Sequence, residues 1–213
     1  HGMNEYALMS QTPTHPPDFP QAAADSPGIP TAISRDVLIA PFNDIETTSA
    51  IVEQHHNSLG CVIVEPLQRL VPPRAGFLAD LRELTARYQI PLIFDEVVTG
   101  FRLAYGGAQE YYQVVPDLCA LGKVLAGGFP LAAVAGRADI MACFDPRTAA
   151  EGRFVPQIGT FNGNPVAAVA GLATLEILRQ PGSYQHLFAV GRQLMAGLQQ
   201  QLNQAGLEAQ VIG

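Results

Sequence analysis

The sequence contains no tryptophan, only three cysteines, and little charge: 15% of its 213 residues are Asp, Glu, Lys or Arg. Against a hydrophobic fraction of 48%, so little charge excludes long disorder, because there is ample apolar surface to bury. Basic residues are scarcer than acidic ones, 12 against 19, for a formal charge of −7. No basic patch is available to neutralise phosphates, which argues against a nucleic-acid partner and against an anionic membrane surface. No apolar run is long enough to cross a bilayer. The missing tryptophan decides little. Cys61, Cys119 and Cys143 are far apart and form no CxxC pair. They read as reduced core thiols of a cytoplasmic protein. Neither they nor His55 and His56 have the spacing of zinc ligands.

The chain starts at His1-Gly2 without an initiator methionine and shows no charged, apolar and small-residue leader pattern. It ends at Val211-Ile212-Gly213, where an apolar strand is expected to begin. The expectation is an internal part of a longer protein.

Prolines at 13, 16, 17, 20, 27 and 30 break helical periodicity in the first 35 residues, leaving a linker or a long ordered loop. Val37–Ala40 is a short apolar run. Asp44 is placed to cap a helix from Ile45 to about Gln54. Cys61–Val64 is apolar throughout and ends in Glu65-Pro66. Phe77, Leu78, Leu81, Leu84 and Tyr88 recur at helical spacing. Pro91–Phe94 predicts a buried strand ending at Asp95-Glu96, and further strands are predicted at Leu118–Leu121 and Leu131–Ala135. Pro165–Leu178 predicts an Ala-rich helix with proline at its start, and Tyr184 to about Gln204 a longer amphipathic one.

Uniformly apolar strands separated by helices predict an α/β fold, a mostly parallel sheet with helices on both faces. Pro181-Gly182 marks the expected boundary between a large domain, residues 1–180, and the start of a small C-terminal one, residues 181–213. In such sheets the chemistry gathers at the C-terminal ends of the strands. That rule points to Glu65, Asp95 and the residues after Leu121.

Each candidate has several readings. Asp95-Glu96 could bind the magnesium of a nucleotide hydrolase, but no GxxxxGK[ST] loop accompanies it. It could be a solvated strand end, or one carboxylate could pair with a protonated heterocycle. Lys123 lies among apolar residues and glycines, in Leu121-Gly122-Lys123-Val124-Leu125-Ala126-Gly127-Gly128. It is either a surface lysine in a turn or a desolvated amine suited to a Schiff base. Gly159-Thr160, before Asn164-Pro165, offers a hydroxyl and backbone amides to a phosphate, or is a plain loop and helix cap. Asp95 and Lys123 strengthen each other. A carboxylate for a pyridinium nitrogen and an amine for an aldehyde are the two anchors pyridoxal phosphate requires.

Glu65-Pro66, Phe94 through Arg102, Leu121-Gly122-Lys123 with Gly127-Gly128, and Gly159-Thr160 with Gly163-Asn164-Pro165 occur in one order that resembles the class III aminotransferases. These are fold-type I pyridoxal phosphate enzymes, and the resemblance spans nearly the whole chain. Within the class the chain is most similar to the glutamate-1-semialdehyde 2,1-aminomutases, through segments such as Ala104-Tyr105-Gly106-Gly107-Ala108-Gln109-Glu110 and Pro116-Asp117-Leu118.

The resemblance implies that Lys123 is the Schiff-base lysine and proton shuttle. It implies that Asp95 pairs with the pyridinium nitrogen, Val97 packs on the ring, and Glu65 supports the site. Gln68 would approach the cofactor's phenolic oxygen, as in many other transaminases of the class. Thr160 would bind the cofactor phosphate of a neighbouring subunit, which implies a homodimer with a shared active site. His1-Gly2 would end an aromatic-His-Gly motif that stacks on the ring. The cofactor would pass through its pyridoxamine phosphate form, and the substrate would be a small amino acid or amino-aldehyde.

The chain departs from the aminomutase pattern at its Pro-rich opening, which lacks the Ser-Gly pattern, and at Leu67–Pro73. Leu67–Pro73 is shorter than the usual Gly-Asn stretch, with Arg69 where a glycine is expected. Gly136–Met141 and Phe144–Thr148 are similar to β-amino-acid transaminases. A β- or ω-amino-acid transaminase, including one in a biosynthetic assembly line, therefore stands beside the aminomutase. A cofactor-free scaffold relative is the alternative from another class.

Overall fold

Runs of apolar residues without alternation suit strands covered on both faces, but of the described strands Val62–Val64 is only partly covered and Ala133–Gly136 is exposed. The best buried is β2, Leu92–Glu96, in which Leu92 and Phe94 have no exposed surface and Asp95 has 5%. The computed structural model describes residues 4–10 and 18–212. Within them the chain forms two compact units, His1–Val62 with Pro73–Leu92, and Ile63–Pro72 with Ile93–Gly213.

The first unit holds three helices. α1, Thr31–Arg35, is a single turn in a segment whose prolines predicted no helix. Pro30 precedes it at φ −61°, a fixed value that suits a helix entry. Isolated bridges join Met9 to Ala24 and Gln21 to Leu38, so the apolar run at 37–40 contributes a bridge and not a strand. α2, Ile45–His55, starts as expected at Asp44, whose carboxylate accepts from the Thr47 amide at 3.0 Å and the Thr47 hydroxyl at 2.7 Å. Those bonds hold the Asp44 carboxyl below its usual range. α3, Phe77–Arg87, buries Phe77, Leu78, Leu81 and Leu84 on one face, the stripe its spacing predicted. The Phe42 ring meets Phe77 edge-on at 5.1 Å.

The second unit carries a four-stranded sheet in the order β1-β2-β3-β4, with β1 at Val62–Val64, β3 at Leu118–Leu121 and β4 at Ala133–Gly136. The sheet is mixed and mostly parallel. β2 and β3 run parallel, while β4 closes back on β3 in antiparallel register. β4 starts two residues later than the sequence predicted. Turn bonds from Phe129 to Ala126 and Leu131 to Phe129 occupy the backbone there, and Pro130 has no amide to give a ladder. Arg137 pairs with Asp117 and Asp139 just beyond the β3–β4 ladder.

Helices α4, Gly107–Tyr112, α5, Ala138–Met141, α6, Pro165–Leu178, and α7, Ser183–Gln204, complete this unit. The bounds of α6 match the sequence reading, down to Asn164, which caps it by accepting from Val166 and Ala167 amides. Such a cap contributes about 1 kcal/mol. The expectation of three core thiols is corrected: Cys61 is exposed and Cys143 only half-buried, whereas Cys119 is buried and burial raises its thiol pKa. No described helix is long and apolar enough to cross a membrane.

Candidate active site

The parallel register of β2 and β3 brings the two chemical candidates to one end of the sheet. Asp95 stands opposite Ala120, and Glu96 opposite Leu121. One residue beyond Leu121, Gly122 leads the chain out of the strand, and Lys123 begins a tight 3₁₀ turn, Lys123–Ala126. Both therefore leave the C-terminal ends of neighbouring strands, where helix-flanked sheets form their ligand crevices.

Consecutive side chains of a strand point to opposite faces. The acidic pair at the end of β2 divides accordingly. Asp95 is 5% exposed, and its Oδ1 accepts the Val97 amide at 3.1 Å, a local turn that fixes the carboxylate's orientation. Glu96 is fully buried and accepts three bonds. These come from the Thr99 hydroxyl at 3.0 Å, the Ala108 amide at 2.5 Å and the Gln109 side-chain amide at 2.9 Å. The sequence reading treated the pair as one feature and missed the second role. Little in the sequence marks it, because two of its donors come from α4, 12 and 13 residues further along the chain.

Val97 comes next and packs beside Gly122. A methyl group on that glycine would meet Val97 Cγ1 at 3.6 Å, so an apolar side chain stands between the Asp95 and Lys123 segments. Lys123 is exposed and has φ 47°, a left-handed conformation that costs a non-glycine residue about 1–2 kcal/mol. Strain of this kind concentrates at functional sites.

The Lys123 turn is held from behind by α6. Leu125 and Ala126 are buried, and so is Ala167 on the helix. Gly127, at φ 57°, allows this approach, since a methyl group there would lie 2.5 Å from Thr174 Oγ1. A methyl on Gly171 would press on Leu131 Cδ2 at 3.1 Å and the Leu125 carbonyl at 3.2 Å.

Glu65 and Gln68 follow β1. Glu65 is half-buried. Gln68 and Val71 exchange backbone bonds of 3.1 and 2.8 Å across a two-residue turn. Arg69 and Leu70 sit in that turn at φ 46° and 73°, the left-handed pair of a type I′ hairpin. A glycine was expected at Arg69, and the structure gives the reason. Thr160 lies in an exposed turn closed by the Asn162 amide donating to the Gly159 carbonyl at 3.0 Å, directly ahead of α6. The structure thus brings together Asp95, Val97 and the Gly122-Lys123 corner. Thr160 stands in a separate loop, and His1 and Gly2 lie outside the described residues.

The fit to a charged pyridine ring can be judged from these groups. An oriented carboxylate, an apolar side chain and a primary amine lie along one end of the sheet, and glycine keeps the space beside Val97 clear. These are the donor types such a ring and its aldehyde need.

The sequence profile of the family described as Aminotransferase class-III matches residues 1–212. The chain is 46% identical over 189 residues to a glutamate-1-semialdehyde 2,1-aminomutase from Thermomicrobium roseum, covering 87% of this chain and 43% of that protein. It superposes with a TM-score of 0.90 on an omega-transaminase from Sphaerobacter thermophilus, at 43% identity, over 100% of this chain and 49% of that one. A transaminase solved with PLP bound gives a TM-score of 0.87 at 30% identity, over the same shares. The chain therefore spans about half the length, or less, of the proteins it matches.

Proposed function

The chain belongs to the class III aminotransferase family, and we propose that the protein carrying it is a pyridoxal-phosphate-dependent enzyme that moves an amino group, with Lys123 as its reactive amine. The observation that carries the reading is the register of Asp95 beside Ala120, which sets the carboxylate and the Gly122-Lys123 corner at one end of β2 and β3.

Lys123 would hold the cofactor through its Nζ, and Asp95 would face the ring nitrogen with a carboxylate already oriented by the Val97 amide. Val97 would cover one ring face. Glu65 and Gln68, after β1, would complete the same side, and Thr160, His1 and Gly2 would contribute to cofactor binding. When bound, the cofactor supplies an electron sink for charge developing at the substrate carbon. Once the substrate amine has displaced it from the cofactor, Nζ of Lys123 would be the free amine that takes the proton from that carbon and returns it. Asp95 would keep the ring nitrogen protonated by charge pairing.

An aminomutase-like reaction, returning the amino group to the neighbouring carbon of the same skeleton, agrees with the 46% identity to the aminomutase. Transfer from a β- or ω-amino acid to a separate keto acid is the second reading. It is favoured by the short turn at Gln68–Val71 and by the likeness to the omega-transaminase. In either case the substrate is a small amino acid or amino-aldehyde. The proposed assembly is a homodimer with a shared active site in the cytoplasm, with residues 181–213 opening a small domain.

The test is the visible spectrum of the purified protein before and after borohydride reduction, followed by peptide mapping. A yellow protein whose reduction fixes a pyridoxyl group on Lys123 supports the reading. A folded protein that takes up no pyridoxal phosphate removes it. Screens with amino donors and semialdehydes then separate the two reactions.

A further inference from the structure

Glu96 is fully buried, yet the groups bonded to it are neutral donors: the Thr99 hydroxyl, the Ala108 amide and the Gln109 side chain. The nearby titratable group is the buried Cys119 thiol, whose pKa burial and Glu96 both raise. Burying a carboxylate is costly, and only a complete set of donors makes it tolerable. The surroundings are built around it. A methyl group on Gly107, at φ 70°, would collide with Glu96 Oε2. A methyl on Gly100 would lie 2.7 Å from the Glu96 carbonyl.

The bonds lead to Asp95. The Gly100 amide donates to the Glu96 carbonyl at 2.8 Å, while Thr99 donates to the Glu96 side chain. The turn from Glu96 to Gly100 is therefore closed twice, through backbone and side chain, and α4 is tied to it through Ala108 and Gln109. Inside that turn lies Val97, whose amide orients the Asp95 carboxylate at 3.1 Å and whose side chain packs beside Gly122. Asp95 and Glu96 point to opposite faces of β2, so the influence of Glu96 on Asp95 runs through the backbone.

We propose that Glu96 is a positioning residue: its carboxylate, clamped by Thr99, Ala108 and Gln109, sets the turn that aims Asp95 at the cofactor ring and Val97 at its face. The inference rests on the pyridoxal phosphate reading above. Its consequence is that cofactor affinity and the protonation behaviour of the bound cofactor depend on a side chain that touches neither cofactor nor substrate.

The test uses the intact protein and four variants: Glu96→Ala, Glu96→Gln, Thr99→Val and Asp95→Ala. Three quantities are read. They are the dissociation constant for pyridoxal 5′-phosphate, the pH titration of its absorbance band, and the melting temperature of the cofactor-free form. Glu96→Ala is expected to weaken binding by about ten-fold or more and to move the pH titration, as loss of a supporting group does. Glu96→Gln is expected to restore both to within about three-fold. Its carbonyl can accept from Thr99 and Ala108 while its amide donates to a reversed Gln109. Thr99→Val removes one donor, is expected to fall between, and serves if Glu96→Ala does not fold.

Variants that lose melting temperature alone, with affinity and pH titration as in the parent, would overturn the proposal. If Asp95→Ala weakens binding while the Glu96 and Thr99 variants do not, only this inference fails. A parent protein that takes up no pyridoxal phosphate would remove it together with the reading beneath it.

Discussion

Val97 and Gly122 lie side by side, with the space for a methyl group 3.6 Å from Val97 Cγ1. The contact joins the turn after Asp95 to the corner that presents Lys123. It brings together two segments that are remote in sequence, and it depends on the parallel register of β2 with β3.

Replacing Lys123 by Ala is expected to abolish multiple turnover. A positioned proton-transfer group alone contributes roughly 10²–10⁴-fold, and the proposed covalent attachment would be lost as well. Steady-state amino transfer with saturating pyridoxal phosphate measures it. Sustained turnover by the variant would remove Lys123 from its role.

Replacing Asp95 by Ala removes the charge proposed to face the ring nitrogen. A nearby opposite charge shifts a titration by about 1–3 pK units, so a loss of roughly 10–1000-fold in proton abstraction is expected. Cofactor binding should weaken too. Single-turnover kinetics and a cofactor titration check both, and a normal rate would contradict the assignment.

Gly127→Ala places a methyl group 2.5 Å from Thr174 Oγ1 at a backbone φ of 57°. Overpacking of this kind costs about 1–3 kcal/mol. A lowered midpoint of chemical denaturation is expected. So is a rise in KM or cofactor dissociation constant, since the same contact seats the Lys123 turn. A variant as stable as the parent would show that α6 does not hold this turn rigidly.

Leu70→Gly acts in the opposite direction. Leu70 holds φ 73° in the turn between Gln68 and Val71, a conformation glycine adopts freely. Relief of about 1 kcal/mol is expected, offset in part by the added freedom of the unfolded chain. The denaturation midpoint should rise. A fall would mean that the Leu70 side chain contributes more than its strained backbone costs.

Asp44 gives the pH dependence. Its bonds to Thr47 lower its carboxyl pKa in the folded protein. A depressed carboxylate contributes stability above its unfolded value, about 3.9, and that contribution fades as the pH falls through the folded value. Melting temperatures of the parent and Asp44→Ala should therefore differ fully at pH 7 and converge below about pH 4. A gap independent of pH would locate the effect elsewhere.

Much of the second unit was legible because short-range chemistry specified it. α6 starts at Asn164-Pro165 because a capping side chain and a proline meet there. β2 and β3 follow from apolar runs that stop at Asp95 and Leu121. The one-turn α1 was missed because a proline that breaks a helix interior also suits its entrance. The start of β4 was displaced because Pro130 and the turn bonds around it outweighed the apolar pattern. The buried role of Glu96 was hidden because burial is set by what folds over a residue, here α4 and the turn to Gly100.

The sequence by itself determined the candidate groups: a carboxylate at a strand end, a lysine among glycines, and a Gly-Thr loop before a capped helix. These are local, since side-chain chemistry and backbone freedom are properties of neighbouring residues. Only the tertiary structure decided which carboxylate of Asp95-Glu96 is oriented by the Val97 amide and which is locked into the scaffold by Thr99, Ala108 and Gln109. It also decided that Val97 stands beside Gly122 and that Lys123 is held in a left-handed turn. Those outcomes depend on register and pleat, which are fixed when β2 pairs with β3 and α6 packs on the turn between them and β4.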